Sequence, residues 1–331
     1  TLLLRKRLAT TLLLKKIALK KPPFYLLLLT QCAFAQEISF WIDDTHPVSK
    51  EVAQAIFTRS GSTFELLRFF KVKPRLKLTL TKEGARAVFS YPDLITIPLS
   101  DDRNIDPTLI HEITHAYFVH GLMPSIPGGK EANAIRNSVN NSTLIFQQQN
   151  DEIKLLEKEL KRLKELPGEQ NSIACEQLQT ELLEKMKGHN ESMAFAMVGL
   201  TKSGMNRYLD IVNPYAEFFS DLVAALALDD PKAISKTDKS EFGKYRDFSL
   251  ESAATGWTES QEYVLLHPAG NFIWKNYIAG KTLTTRQKRA LLEKVAKAIE
   301  RELTVRLENR STQVTPVAAN LRLIENLQKR K

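Results

Sequence analysis

His111-Glu112-Ile113-Thr114-His115 constrains this chain more than any other stretch, because its chemistry needs a helix. Residues four apart stack on one helical face, so the two imidazoles rise one above the other. The helix is signalled independently: Asp106 is a good N-cap, Pro107 suits the first helical position, and Gly121 closes the segment. Two imidazoles at that spacing suit a single zinc ion. Glu112, one position round, is placed to hold a metal-bound water and take its proton.

A catalytic zinc site takes a third protein ligand and keeps a position open. His120 follows His115 by five residues, with Tyr117 rather than glycine at the third, so it does not continue a metzincin pattern. No cysteine lies between residue 36 and His111, which leaves a carboxylate. The segment Tyr215-Ala216-Glu217-Phe218-Phe219-Ser220-Asp221 offers one in a useful setting. Asn213-Pro214 reads as a helix start, with Glu217 in the first turn or so and Asp221 on the same face. Glu217 is the expected third ligand. Asp221 is expected to accept the N–H of His111 and so fix its tautomer. Glu131, after the Pro124-Ser125-Ile126-Pro127-Gly128-Gly129 loop, is the alternative ligand.

His111-Glu112-x-x-His115 followed by Glu217-x-x-Ser220-Asp221 resembles the gluzincin, thermolysin-like group of zinc metallopeptidases. The resemblance implies Glu217 as zinc ligand and Asp221 behind the first histidine. It covers about a dozen residues and departs from the family in two ways. Ala216 stands where the family often has asparagine, and about a hundred residues separate His115 from Glu217. A helical hairpin at 143–187, read as an insertion, would account for most of the excess.

The rest of the chain is read around this site. Arg75–Thr81 alternates, with Leu76, Leu78 and Leu80 on one face, as a half-buried strand requires. Leu94–Leu99 is a second strand, and Pro98 places it at a sheet edge. The zincin resemblance implies that such an edge binds substrate as an added strand. Ile153, Leu156, Leu160 and Leu163 recur at coiled-coil spacing, and Ile173–Met186 is again amphipathic beyond Pro167-Gly168. Residues 143–187 therefore read as a helical hairpin able to dock a protein partner. Helices are also expected at 48–59, 268–278, 285–306 and 317–328. A donor to the developing oxyanion should come from beyond Glu217, and His267 is the best placed by order.

The whole chain carries 47 Lys+Arg against 38 Asp+Glu, a formal +9. Seven of the basic residues and none of the acidic ones lie in residues 1–35. This segment continues through an apolar run to Ala33-Phe34-Ala35, the pattern of a secretory signal peptide. Beyond it the charge is nearly balanced, which removes the case for a nucleic-acid partner.

These readings define an α+β, zincin-like expectation: a small N-terminal sheet with an edge strand, a mainly helical C-terminal part and a coiled-coil-like hairpin. Residues 36–130 would form the N-terminal part with the site helix, 131–200 the hairpin, and 201–331 the part bearing the third ligand. The expected activity is zinc-dependent peptide hydrolysis outside the cytoplasm, with no nucleic acid bound and no membrane span retained. A non-catalytic scaffold that uses the hairpin is the alternative, and a zinc hydrolase of cell-wall peptides a third reading.

Overall fold

A computed structural model describes residues 38–42, 50–81, 88–90, 93–98, 105–165, 169–202, 204–238, 243–250, 265–308 and 316–329. The expected signal peptide, residues 1–35, lies outside the described residues, as does the Pro167-Gly168 break. The architecture is α+β and mostly helical, with one small sheet.

The sheet has four strands: β1 Ile38–Ile42, β2 Leu76–Thr81, β3 Val88–Ser90 and β4 Leu94–Pro98, in the order β1-β2-β4-β3. β2 pairs in parallel with both β1 and β4, and β3 runs antiparallel along β4. Leu76 and Leu78 of the alternating segment are buried, as their period of two requires. The expected edge is corrected. β4 lies inside the sheet, and the short β3 is the outer strand. Pro98 is tolerated because it is the last residue of β4, opposite the last residue of β2, Thr81, where the ladder ends.

Eight helices are described: α1 Lys50–Leu67, α2 Ile105–Tyr117, α3 Gly129–Lys164, α4 Glu169–Lys202, α5 Met205–Leu228, α6 His267–Ile273, α7 Thr285–Glu308 and α8 Pro316–Gln328. α3 and α4 form the hairpin, longer at both ends than its sequence signal. Ile153 and Leu160 are buried and Leu156 and Leu163 half-buried, so the 3-4-3 spacing does mark the inner face. Lys185 and Glu152 pair across the two helices.

α2 and α5 pack against each other at the centre of the protein. α5 is apolar on nearly every side, with Tyr215, Phe219, Leu222 and Val223 fully buried, the pattern of a core helix. By length and composition it could cross a membrane, yet 72% of its apolar window is buried within the protein. It begins at Met205, well before the expected start, and carries Pro214 in its interior. The ring removes one N–H from the helical ladder at that point, and the flanking Val212, Tyr215 and Ala216 are buried in the core. Packing on both sides of the proline outweighs the missing bond.

Phe219 fixes the approach of α5 to α2. Its ring lies 6.3 Å from that of Phe118, just past α2, and meets Phe70 edge-on at 5.9 Å. α2 continues beyond Tyr117 into a wide turn, Phe118–Leu122. Gly121 lies inside that turn, and the reason for glycine is space: a Cβ there would fall 2.7 Å from the Phe70 ring.

Candidate metal centre

Burial of α5 poses a chemical problem that the site resolves. Glu217 is three turns into the helix, not in its first turn, and Asp221 is buried at 3% exposure. Carboxylates in such surroundings need partners. His111 and His115 on α2 supply the first two. His111 Nε2 lies 3.2 Å from Glu217 Oε2, and His115 Nε2 lies 3.2 Å from Glu217 Oε1. The two Nε2 atoms are 2.9 Å apart. On the other side of its ring, His111 Nδ1 is 2.9 Å from Asp221 Oδ1.

The third partner was not legible in the sequence. Arg246, from a short 3-10 turn at Gly243–Arg246, is buried against α5. Its Nε donates to Asp221 Oδ2 at 2.7 Å and its Nη2 to Asp221 Oδ1 at 2.5 Å. Nη2 also reaches Glu217 Oε2 at 3.4 Å, and Nη1 reaches Asp238 Oδ2 at 3.1 Å. The one signal that could have located it is charge balance: two acids on a core helix demand a buried cation beyond the histidines. Burial works against the charge on Arg246, but the surrounding carboxylates outweigh it and hold the guanidinium protonated.

His111 Nδ1 is held against Asp221 Oδ1 as an ion-pair contact at 2.9 Å and not as an aligned hydrogen bond, and an unshared pair at Nε2 on the other side of the ring is left to the cluster. That pair faces His115 Nε2 and two carboxylate oxygens. Acceptors converging this closely require a cation among them. In the metal-free protein a proton serves. Burial lowers the His111 pKa, but the charge of Glu217 and the contacts with Asp221 and Glu217 raise it further, to about 10. Burial likewise raises that of Glu217, and the two imidazoles carry it well below the usual carboxylate range.

A divalent ion fits the same place. His111, His115 and Glu217 each offer one ligand atom, and these lie within 4.8 Å of one another. The separations of 2.9 and 3.2 Å are close to the ~3.3 Å edge that tetrahedral bonds of ~2.0–2.1 Å impose. Two imidazoles and a carboxylate are also a catalytic zinc donor set. Among the described residues this is the one group of three or more potential ligands that can close on a metal.

The other sequence candidates are placed as follows. Glu112 is buried at 7% exposure, next to His111 on α2. Glu131 is exposed in the first turn of α3 and is not among the converging ligand atoms. Asp106 does not cap α2, which starts one residue earlier; it accepts from Arg59 of α1 at 3.1 and 2.9 Å. His267 opens α6, with Nε2 2.7 Å from the carbonyl oxygen of Asp247 and its ring stacked 5.9 Å from that of Phe248. It stands behind the Arg246 turn and is also outside the converging ligand atoms. Burial lowers its pKa, which favours a neutral ring that donates from Nε2 to that carbonyl.

Compared with known proteins, the chain matches no family model, no curated protein and no solved structure.

Proposed function

We propose that this protein is a zinc-dependent metallopeptidase of gluzincin type. The observation that carries the reading is the convergence of His111, His115 and Glu217, with Asp221 behind His111; Glu112 adjoins His111 in sequence on the same helix. The three ligands would hold the ion and leave a position for water. A bound zinc ion supplies an acidified water and polarises the scissile carbonyl. Glu112 would take the water proton as the new C–O bond forms and hand it to the departing amine nitrogen as the C–N bond breaks. Asp221 would keep His111 turned so that Nε2 is free to serve as a ligand.

The small sheet with α2 following β4, and α5 packed on α2, is compatible with a zincin-like arrangement. The short outer strand β3 would take an extended peptide by strand addition. Residues 1–35 support export to the periplasm or beyond. Their removal would leave a chain with nearly balanced charge, which suits a protein or peptide substrate more than a polyanion.

A second reading has its own observation. Leu155, Ile173 and Leu183 on the hairpin are each more than 60% exposed, which suits a scaffold that binds a partner there. Metal analysis combined with cleavage of a peptide library separates the two. One equivalent of zinc with cleavage abolished by chelation supports the peptidase. Stoichiometric metal without cleavage of any peptide supports the scaffold.

A further inference from the structure

Arg246 is not explained by the ligand set, although it is the most heavily paired cation in the site. We propose that Arg246 is the positioning residue of the metal centre: its guanidinium locks the Asp221 and Glu217 carboxylates so that His111 Nδ1 stays against Asp221 and Nε2 turns toward the ligand cluster.

Three observations carry this. First, Asp221 Oδ1 is shared, receiving Arg246 Nη2 at 2.5 Å and lying 2.9 Å from His111 Nδ1. Arg246 Nε holds the other oxygen, so the planar fork fixes the plane of the carboxylate that orients the ring. Glu217 Oε2 is shared in the same way, between His111 Nε2 and Arg246 Nη2.

Second, the arginine is itself clamped. The carbonyls just after it are tied to α6, that of Asp247 by His267 Nε2 at 2.7 Å and that of Phe248 by Asn271 Nδ2 at 2.9 Å. The Phe248 ring meets Phe218 of α5 edge-on at 6.2 Å. Gly270 leaves room for it, since a Cβ there would fall 2.3 Å from the ring.

Third, Arg246 limits the negative charge on the ligand side, Glu112 left uncounted. With neutral imidazoles, Glu217, Asp221 and Asp238 around one arginine leave two net negative charges, the complement of a divalent cation. Removing the arginine adds negative charge, which by itself attracts a metal more strongly. It also frees two buried carboxylates to rotate, and loss of such outer support typically weakens metal binding about 10–100-fold. The two effects oppose each other, and the shared oxygens make the geometric one the larger.

The consequence for metal binding rests on the metallopeptidase reading, so the test has an arm without metal. Arg246→Met and Arg246→Lys are made in the full chain and checked for folding by circular dichroism. In metal-free protein labelled with 15N-histidine, the wild type is expected to show a His111 Nδ1 resonance shifted by the Asp221 carboxylate, assigned by its loss in His111→Asn. Arg246→Met loses or displaces that resonance. Arg246→Lys, which keeps the charge without the fork, displaces it in part and carries the test if the methionine variant does not fold. Cobalt affinity, measured by chelator competition, falls about 10–100-fold in Arg246→Met, and the visible d–d bands change shape. A folded variant with the wild-type His111 resonance and wild-type cobalt affinity overturns the proposal. A wild-type chain that takes up no cobalt overturns the metal reading instead, and the metal-free arm still judges Arg246.

Discussion

His111 and Glu217 stand on different helices, about a hundred residues apart in the chain, and their Nε2 and Oε2 atoms lie 3.2 Å apart. Glu217 reaches His115 with its other oxygen at the same distance, so one carboxylate spans both imidazoles. An amide of the same shape lacks the charge and is a poor ligand. Glu217→Gln is therefore expected to weaken zinc binding beyond the roughly 100-fold that marks the loss of an outer-shell partner. Chelator competition measures it. Glu131→Gln, on an exposed residue outside the cluster, should leave zinc affinity unchanged. The reverse result would move the third ligand to Glu131.

Glu112 makes a different claim, because it is assigned to proton transfer and not to ligation. Glu112→Gln preserves size at a site with only 7% exposure, so the fold and the zinc content should persist. Peptide hydrolysis should fall about 10²–10⁴-fold, the usual contribution of a positioned acid–base group. Full activity with zinc bound would remove Glu112 from the mechanism. Loss of zinc together with activity would make it a ligand or a structural support.

The pH dependence of the metal-free protein follows from two shifts of opposite sign. His111 has its pKa lowered by burial and raised more by Glu217 and Asp221, to about 10 against an ordinary 6.5. A raised folded-state value means stabilisation fully present below 6.5 and lost as pH climbs through 10. Burial raises the Glu217 value and the imidazoles depress it well below 4.5, so its stabilisation is present above 4.5 and lost as pH falls. The two describe one coupled interaction and are not added. Melting temperature in chelator should peak between pH 4.5 and 6.5, and the unfolding free energy should decline on the basic side by at most about 1.4 kcal/mol per pH unit. Zinc requires neutral imidazoles, so adding it should release protons and reverse the basic decline. A flat profile in chelator would show that His111 carries no extra proton.

What could be read from the residues was what repeats over short distances. His111 and His115, and likewise Glu217 and Asp221, are four apart, so a single helix turn places each pair on one face. The leucine spacing at 153–163 and the alternation at 76–80 are local in the same sense. Elsewhere tertiary packing overrides a local rule. Pro214 reads as a helix start, yet burial of Tyr215 and its neighbours carries α5 straight through it. Pro98 reads as a sheet edge, yet it ends a strand that the three-residue β3 covers from outside. Arg246 has no local signature, because its meaning depends on carboxylates that the chain delivers from another element. His267, the best placed by chain order for an oxyanion donor, sits in the structure with Nε2 on the carbonyl of Asp247, beside the Arg246 turn. Gly121 reads as a helix stop, yet its constraint in the structure is the ring of Phe70.

That last constraint can be tested without any assumption about function. A Cβ at Gly121 would lie 2.7–2.9 Å from three atoms of Phe70, including its Cβ, so rotating the end of the ring does not clear it. Phe70 is also held by Phe69 at 4.4 Å and by Phe219 of the site helix at 5.9 Å, which limits its retreat. Gly121→Ala should therefore destabilise by about 1–3 kcal/mol, the usual cost of overpacking, despite the better helix propensity of alanine. Phe70→Leu alone should also destabilise, by removing aromatic contact. The double variant should be more stable than the sum of the two losses implies, because the smaller side chain admits the new methyl group. Thermal unfolding of the four proteins measures the coupling. Strict additivity would mean that the Phe118–Leu122 turn moves away from Phe70 without cost, and that α2 is held to α5 by something other than this contact.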